Sequence, residues 1–72
     1  MTNTLMLEMA IRRAKLTKKE VAHRLGLTFM GFNQKVTNVT EFKASEIAQL
    51  YNMLGLSSLE EQQQIFFVND VH

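Results

Sequence analysis

The stretch "LTKKEVAHRLGLT", residues 16–28, continued by "FMGFNQKV", residues 29–36, decides how this chain folds. "TKKE" is a capping box: the Thr17 hydroxyl takes the amide three residues on, and the Glu20 carboxylate reaches back to the amide of Thr17. The helix so opened carries Val21, Ala22 and Leu25 inward and stops at Gly26, a suitable left-handed residue just past a helix end. Leu27 fills the turn, and Thr28 caps the next helix, which runs to about Val36 with Phe32 facing in. A small residue at Ala22 lets the second helix cross close by, and the glycine permits the sharp turn between them. This is a helix-turn-helix pattern over residues 17–36, of the kind that places its second helix in the DNA major groove. Many helical hairpins also carry a glycine, so the spacing narrows the choice without closing it.

Working outward, the spacing predicts a helix from about Thr4 to Ala14, with Leu7, Ala10, Ile11 and Ala14 on one face. "TNVTEF", residues 37–42, is a polar, β-branched connection. A fourth helix spans roughly Ala44 to Leu54, turns Ile47, Leu50, Tyr51 and Leu54 inward, and ends at Gly55. "SSLE", residues 57–60, is a second capping box that opens a fifth helix from Ser58 to about Phe66. "IFFVNDV", residues 65–71, is apolar and β-prone; packing on the fifth helix, a short strand and a dimer contact are all open. The expected core is Leu7, Ile11, Leu16, Val21, Ala22, Leu25, Phe32, Ile47, Leu50, Leu54, Leu59 and Phe66.

Seventy-two residues make one small domain, 1–72, near the lower limit for a core without disulfides or metal. Cysteine and proline are absent, and glycine occurs only at positions 26, 31 and 55. So few chain breakers point to an all-α fold with short turns. No stretch is long enough to span a membrane, and none resembles a signal peptide, so a cytoplasmic location is expected. The net charge of +1 hides an asymmetry. All the Lys and Arg residues lie between Arg12 and Lys43, opposed there only by Glu20 and Glu41, whereas the C-terminal third is acidic. That distribution fits one face turned toward a polyanion, and equally a solvated surface of uneven charge.

These segments, with "FNQKVTN" (32–38), "EFKASEIAQLYNMLGLS" (41–57) and "EEQQQIFF" (60–67), resemble the Cro/repressor-like helix-turn-helix family. More narrowly, the chain is similar to the short Cro-like regulators of temperate phages of Gram-positive bacteria, which include the modulator-of-repression antirepressors. The resemblance covers residues 5 to 67. It implies a compact five-helix, lambda-repressor-like domain that sets the choice between lytic growth and lysogeny by binding operator DNA or the partner repressor. It further implies phosphate contacts from Lys18 and Lys19 at the start of the first helix of the motif. Base contacts would come from Thr28, Phe29, Met30, Asn33 and Gln34 on the second, with Thr37 and Asn38 just after it and Lys35 as a further cation.

The recognition helix departs from the family pattern at its second and third positions. Family members usually carry Gln, Ser, Arg or Lys there; Phe29 and Met30 can at most touch a thymine methyl. Gly31 costs about 1 kcal/mol of helix stability against alanine. Asn33 and Gln34 remain as adenine readers, and Lys35 points partly toward the core. At 100° per residue Phe32 and Val36 mark the buried side, Phe29 lies at its edge, as readily core as exposed, and Met30 stands nearly opposite. An exposed Met beside an edge Phe is an adaptable apolar surface of the sort used in protein contacts, although a lone surface Met usually carries no meaning.

Other chemistry is not written in the sequence. His23 and His72 have no partners at metal-ligand spacing, Ser57 and Ser58 are explained by capping, and Glu60 and Glu61 point in different directions. No cofactor, small-molecule substrate or enzymatic activity is expected. Two functions compete. In the first, an antirepressor docks on the N-terminal helix-turn-helix domain of its cognate repressor, with weak or assisted operator binding of its own. In the second, a Cro-type repressor binds operator DNA directly. An antitoxin of the same fold is a third possibility. The apolar pair at positions 29 and 30 favours the first.

Overall fold

Side-chain caps start most of the helices. Asn3, Thr17, Thr28 and Ser58 accept hydrogen bonds from the backbone N–H of Met6, Glu20, Gly31 and Glu61, at 3.0–3.3 Å. They open α1 (Thr4–Arg13), α2 (Lys18–Arg24), α3 (Phe29–Val36) and α5 (Leu59–Phe66). The remaining helix, α4 (Ala44–Leu54), begins where the Lys43 N–H donates to the Glu46 carboxylate at 2.8 Å. Each cap satisfies a backbone donor that helix geometry leaves unpaired. The computed structural model describes residues 1–67, and within them the chain is all-helical, with no strand.

The helix ends share one device. After α1, α2, α3 and α4 a residue enters the left-handed region: Lys15 (φ 61°), Gly26 (φ 74°), Asn38 (φ 69°) and Gly55 (φ 68°). The next residue folds back, so that the Leu16, Leu27, Val39 and Leu56 amides reach the carbonyls of Ile11, Ala22, Gln34 and Tyr51 at 2.8–3.1 Å. This is the Schellman closure, which satisfies orphan carbonyls; it turns Leu16, Leu27 and Leu56 back onto the core, whereas Val39 stays 70% exposed. The glycines at 26 and 55 match the expected stops. Lys15 and Asn38 do the same work without being glycine.

All five helices feed one core. α1 packs against α2, α4 and α5, and α2 packs against α3. Leu7, Val21, Phe32, Val36 and Leu50 are fully excluded from solvent. Aromatic edges link the elements: Phe32 meets Phe42, Phe42 meets Phe66, and Tyr51 meets Phe66, with ring centroids 5.7–5.9 Å apart. The N-terminal residues close the fold. Asn3 N–H donates to the Ile65 carbonyl (2.6 Å), the Thr4 hydroxyl to the Val36 carbonyl (2.6 Å), and the Asn38 amide both donates to and accepts from the Thr2 backbone.

Most expected core positions are buried; Leu16, Leu25 and Ile47 sit at its margin, partly exposed. Leu59 is a correction. It shares a helix face with Phe66 but is 68% exposed. The first turn of α5 meets the rest of the domain through Glu61, bonded to Arg13, and Gln62, bonded to the Leu56 carbonyl, and not through Leu59. The buried leucine of this segment is Leu56, 1% exposed, which the Schellman closure after α4 turns inward. Of "IFFVNDV", Ile65 and Phe66 are buried in α5 and Phe67 is exposed, while residues 68–71 lie outside the described residues. Among the described residues no helix is long and apolar enough to cross a membrane.

Candidate functional site

Packing of α3 on α2 sets the geometry of the surface that the sequence singles out. Ala22, 1% exposed, keeps the α2 side of the contact small, and Phe32 of α3 is fully buried in the same core. The Gly26 turn and the Leu27 amide, bonded to the Ala22 carbonyl, fix where α3 begins. With Phe32 and Val36 buried, helical periodicity turns Met30 and Gln34 to solvent. Phe29 is 50% exposed and Met30 71% exposed, so the edge position of Phe29 resolves toward the surface. Thr28 and Lys19 are exposed as well.

Gly31 sits among these residues. A Cβ built there would lie 3.0 Å from the Thr28 hydroxyl oxygen, the atom that accepts the Gly31 N–H. Thr17 and Glu20 make the same cap at the start of α2 with a full side chain at the equivalent position. The cap therefore does not require a glycine.

Several expected contact residues are already engaged. Lys18 Nζ donates to Glu8 Oε2 (2.9 Å) and to Asn33 Oδ1 (3.3 Å), so one ammonium ties α1, α2 and α3 together. Lys35 faces away from the outer surface of α3. Its ammonium bonds Glu46 (2.9 Å) and the Glu41 carbonyl (3.2 Å), with the Lys35 and Glu46 side chains only 13% and 9% exposed. The Thr37 hydroxyl donates back to the Asn33 carbonyl, and the Asn38 side chain is committed to Thr2. Of the polar candidates, Lys19 and Gln34 have no side-chain hydrogen bond among the described residues.

Pairing also thins the basic surface. Arg13 is bonded to Glu61 at 2.9 Å, and with Lys18–Glu8 and Lys35–Glu46 three carboxylates neutralise three of the cations. Glu8 lies on α1 and meets Lys18 only after the turn at Lys15 brings α2 alongside. Helical periodicity carries no sign of such a contact.

Comparison of the chain with protein families, curated proteins and solved structures finds no match.

Proposed function

We propose that this chain is a helix-turn-helix regulator of phage type that works by binding another regulator, as a modulator of repression. In this reading α2 and α3 are the two helices of the motif. The outer face of α3 docks on the N-terminal helix-turn-helix domain of the cognate repressor and blocks or alters that domain's hold on operator DNA. The observation that carries the reading is the exposure of Phe29 and Met30 at the start of α3, while Lys35 and Asn33 are bound internally.

The physical case is one of matched chemistry. An apolar centre with a polar rim is how compact protein interfaces are arranged, and here Thr28, Gln34 and Lys19 supply the rim. Burying an exposed Met or Phe side chain contributes roughly 1.5–3 kcal/mol, which a DNA groove cannot return to the same degree. Nucleic-acid binding by the chain alone would rest on phosphate contacts from Lys19 and its neighbours, and would fall steeply with salt. The operator-repressor alternative draws on Gln34, the one adenine-reading side chain of α3 without an internal partner among the described residues.

Met30→Glu tests the reading. Calorimetric titration against the repressor's N-terminal domain should show at least about a tenfold weaker Kd, as expected for an anchor residue. The melting temperature should be nearly unchanged, since the side chain is 71% exposed. Parent-like binding by Met30→Glu would remove α3 from the interface. Sequence-selective nanomolar binding of duplex DNA by the pure protein at physiological salt would favour the operator-repressor function instead.

A further inference from the structure

We infer that Glu8 sets the ligand preference of the α2–α3 surface, by holding Lys18 away from nucleic-acid phosphates and against the amide of Asn33. The inference rests on the reading of that surface as the binding face. It goes beyond it by assigning a role to a carboxylate on a different helix. Glu8 stands on α1, and its Oε2 lies 2.9 Å from Lys18 Nζ, where a phosphate oxygen would otherwise bind. The same ammonium donates to Asn33 Oδ1 at 3.3 Å. The carboxylate thereby occupies a cation at the start of α2, and that cation in turn takes the acceptor half of an amide on α3.

The arrangement is a device and not an immovable scaffold. The Lys18 and Glu8 side chains remain 33% and 37% exposed, so a phosphate can reach the ammonium once the carboxylate is gone. Ion pairs this open to water are weak and are screened by salt. Glu8 thus tunes phosphate binding downward without closing the site. What remains outward-facing and uncommitted on α3 is mainly Phe29, Met30 and Gln34. The free chain presents the apolar pair of α3 while Lys18 and Asn33, two of its nucleic-acid-binding candidates, are bound internally.

The test replaces one negative charge at two places. Parent, Glu8→Gln and Glu61→Gln proteins are titrated against a fluorescent duplex of arbitrary sequence, by anisotropy, over a series of salt concentrations. Glu61 pairs with Arg13 at 2.9 Å and touches neither Lys18 nor Asn33, so it controls for net charge. Glu8→Gln should bind roughly three- to fivefold more tightly at low salt, the amount that releasing a surface ion pair allows. Its plot of log K against log salt should steepen by about one, for one added phosphate contact. Glu61→Gln should change affinity by less than about twofold. Adding Lys18→Met to Glu8→Gln should erase the gain, and Glu8→Ala should reproduce it. No gain in Glu8→Gln or Glu8→Ala, an equal gain in Glu61→Gln, or a gain that survives Lys18→Met would each overturn the inference. Partner binding by Met30→Glu reports separately on the docking surface, so failure of one reading is distinguishable from failure of the other.

Discussion

Lys35 and Glu46 join the third helix to the start of the fourth through an ion pair 2.9 Å long, almost closed to water. The Lys43 N–H completes the carboxylate's bonding, and the Glu41 carbonyl takes another of the ammonium's protons. A charge pair out of water is stable only while both members are present. Glu46→Ala should therefore cost about 3 kcal/mol, because it strands the Lys35 ammonium. Replacing both, as Lys35→Met with Glu46→Leu, should cost only about 1 kcal/mol, the loss of the bond to the Lys43 N–H, since no charge is left behind. Urea denaturation of the single and double variants measures the difference.

The same carboxylate makes stability depend on pH. Burial by itself would raise the Glu46 carboxyl, but the Lys43 amide and the ammonium groups of Lys35 and Lys43 outweigh it, and the group sits below its ordinary value. The folded chain thus takes up this proton less readily than the unfolded chain. The contribution is complete above the ordinary glutamate value of about 4.3 and is lost as pH falls through the lower folded-state value. Melting temperature should drop between about pH 5 and pH 3, and Glu46→Gln should show a flatter profile over that window.

Lys15 holds a left-handed conformation that favours glycine. It has no carboxylate partner among the described residues. Lys15→Gly should stabilise the domain by about 0.5–1 kcal/mol, read as a rise in the denaturation midpoint with an unchanged slope. A loss of stability would mean that the lysine side chain contributes a contact worth more than the backbone strain.

Gly31 offers a trade between folding and binding. Gly31→Ala should raise stability by up to about 1 kcal/mol through helix propensity, since the equivalent cap at Thr17 tolerates a side chain. If the proposed partner approaches α3 closely beside Met30, the added methyl should weaken its binding at the same time. A thermal melt and a titration of this one variant separate the two effects.

What the sequence disclosed, and what it hid, follows from which interactions are local. The capping box at Thr17 and Glu20, the stop at Gly26 and the buried stripe of Leu7, Phe32 and Leu50 are each readable within one or two turns of helix. The placement of Leu59 failed because periodicity assigns a face but not whether the core reaches it; Leu56, outside any helix, is buried where Leu59 is not. Lys15 and Asn38 escaped notice as helix stops because neither is a glycine. On the candidate surface the outward direction of Met30 was legible from its angle to Phe32. The commitments of Lys18, Lys35 and Asn38 were not, since their partners Glu8, Glu46 and Thr2 come from other segments.

The ties from residues 2–4 to Val36, Asn38 and Ile65 have a consequence for cooperativity. Helix ends ordinarily fray with little reference to the rest of a domain. Here the last turn of α3 and the last turn of α5 are both fastened by the segment that leads into α1. Opening any one of them exposes donors and acceptors of the other two. The two chain-distant ends and the central helix should therefore exchange their amide hydrogens as a single unit, and the surface carried by α3 inherits the rigidity of a segment more than thirty positions away in sequence.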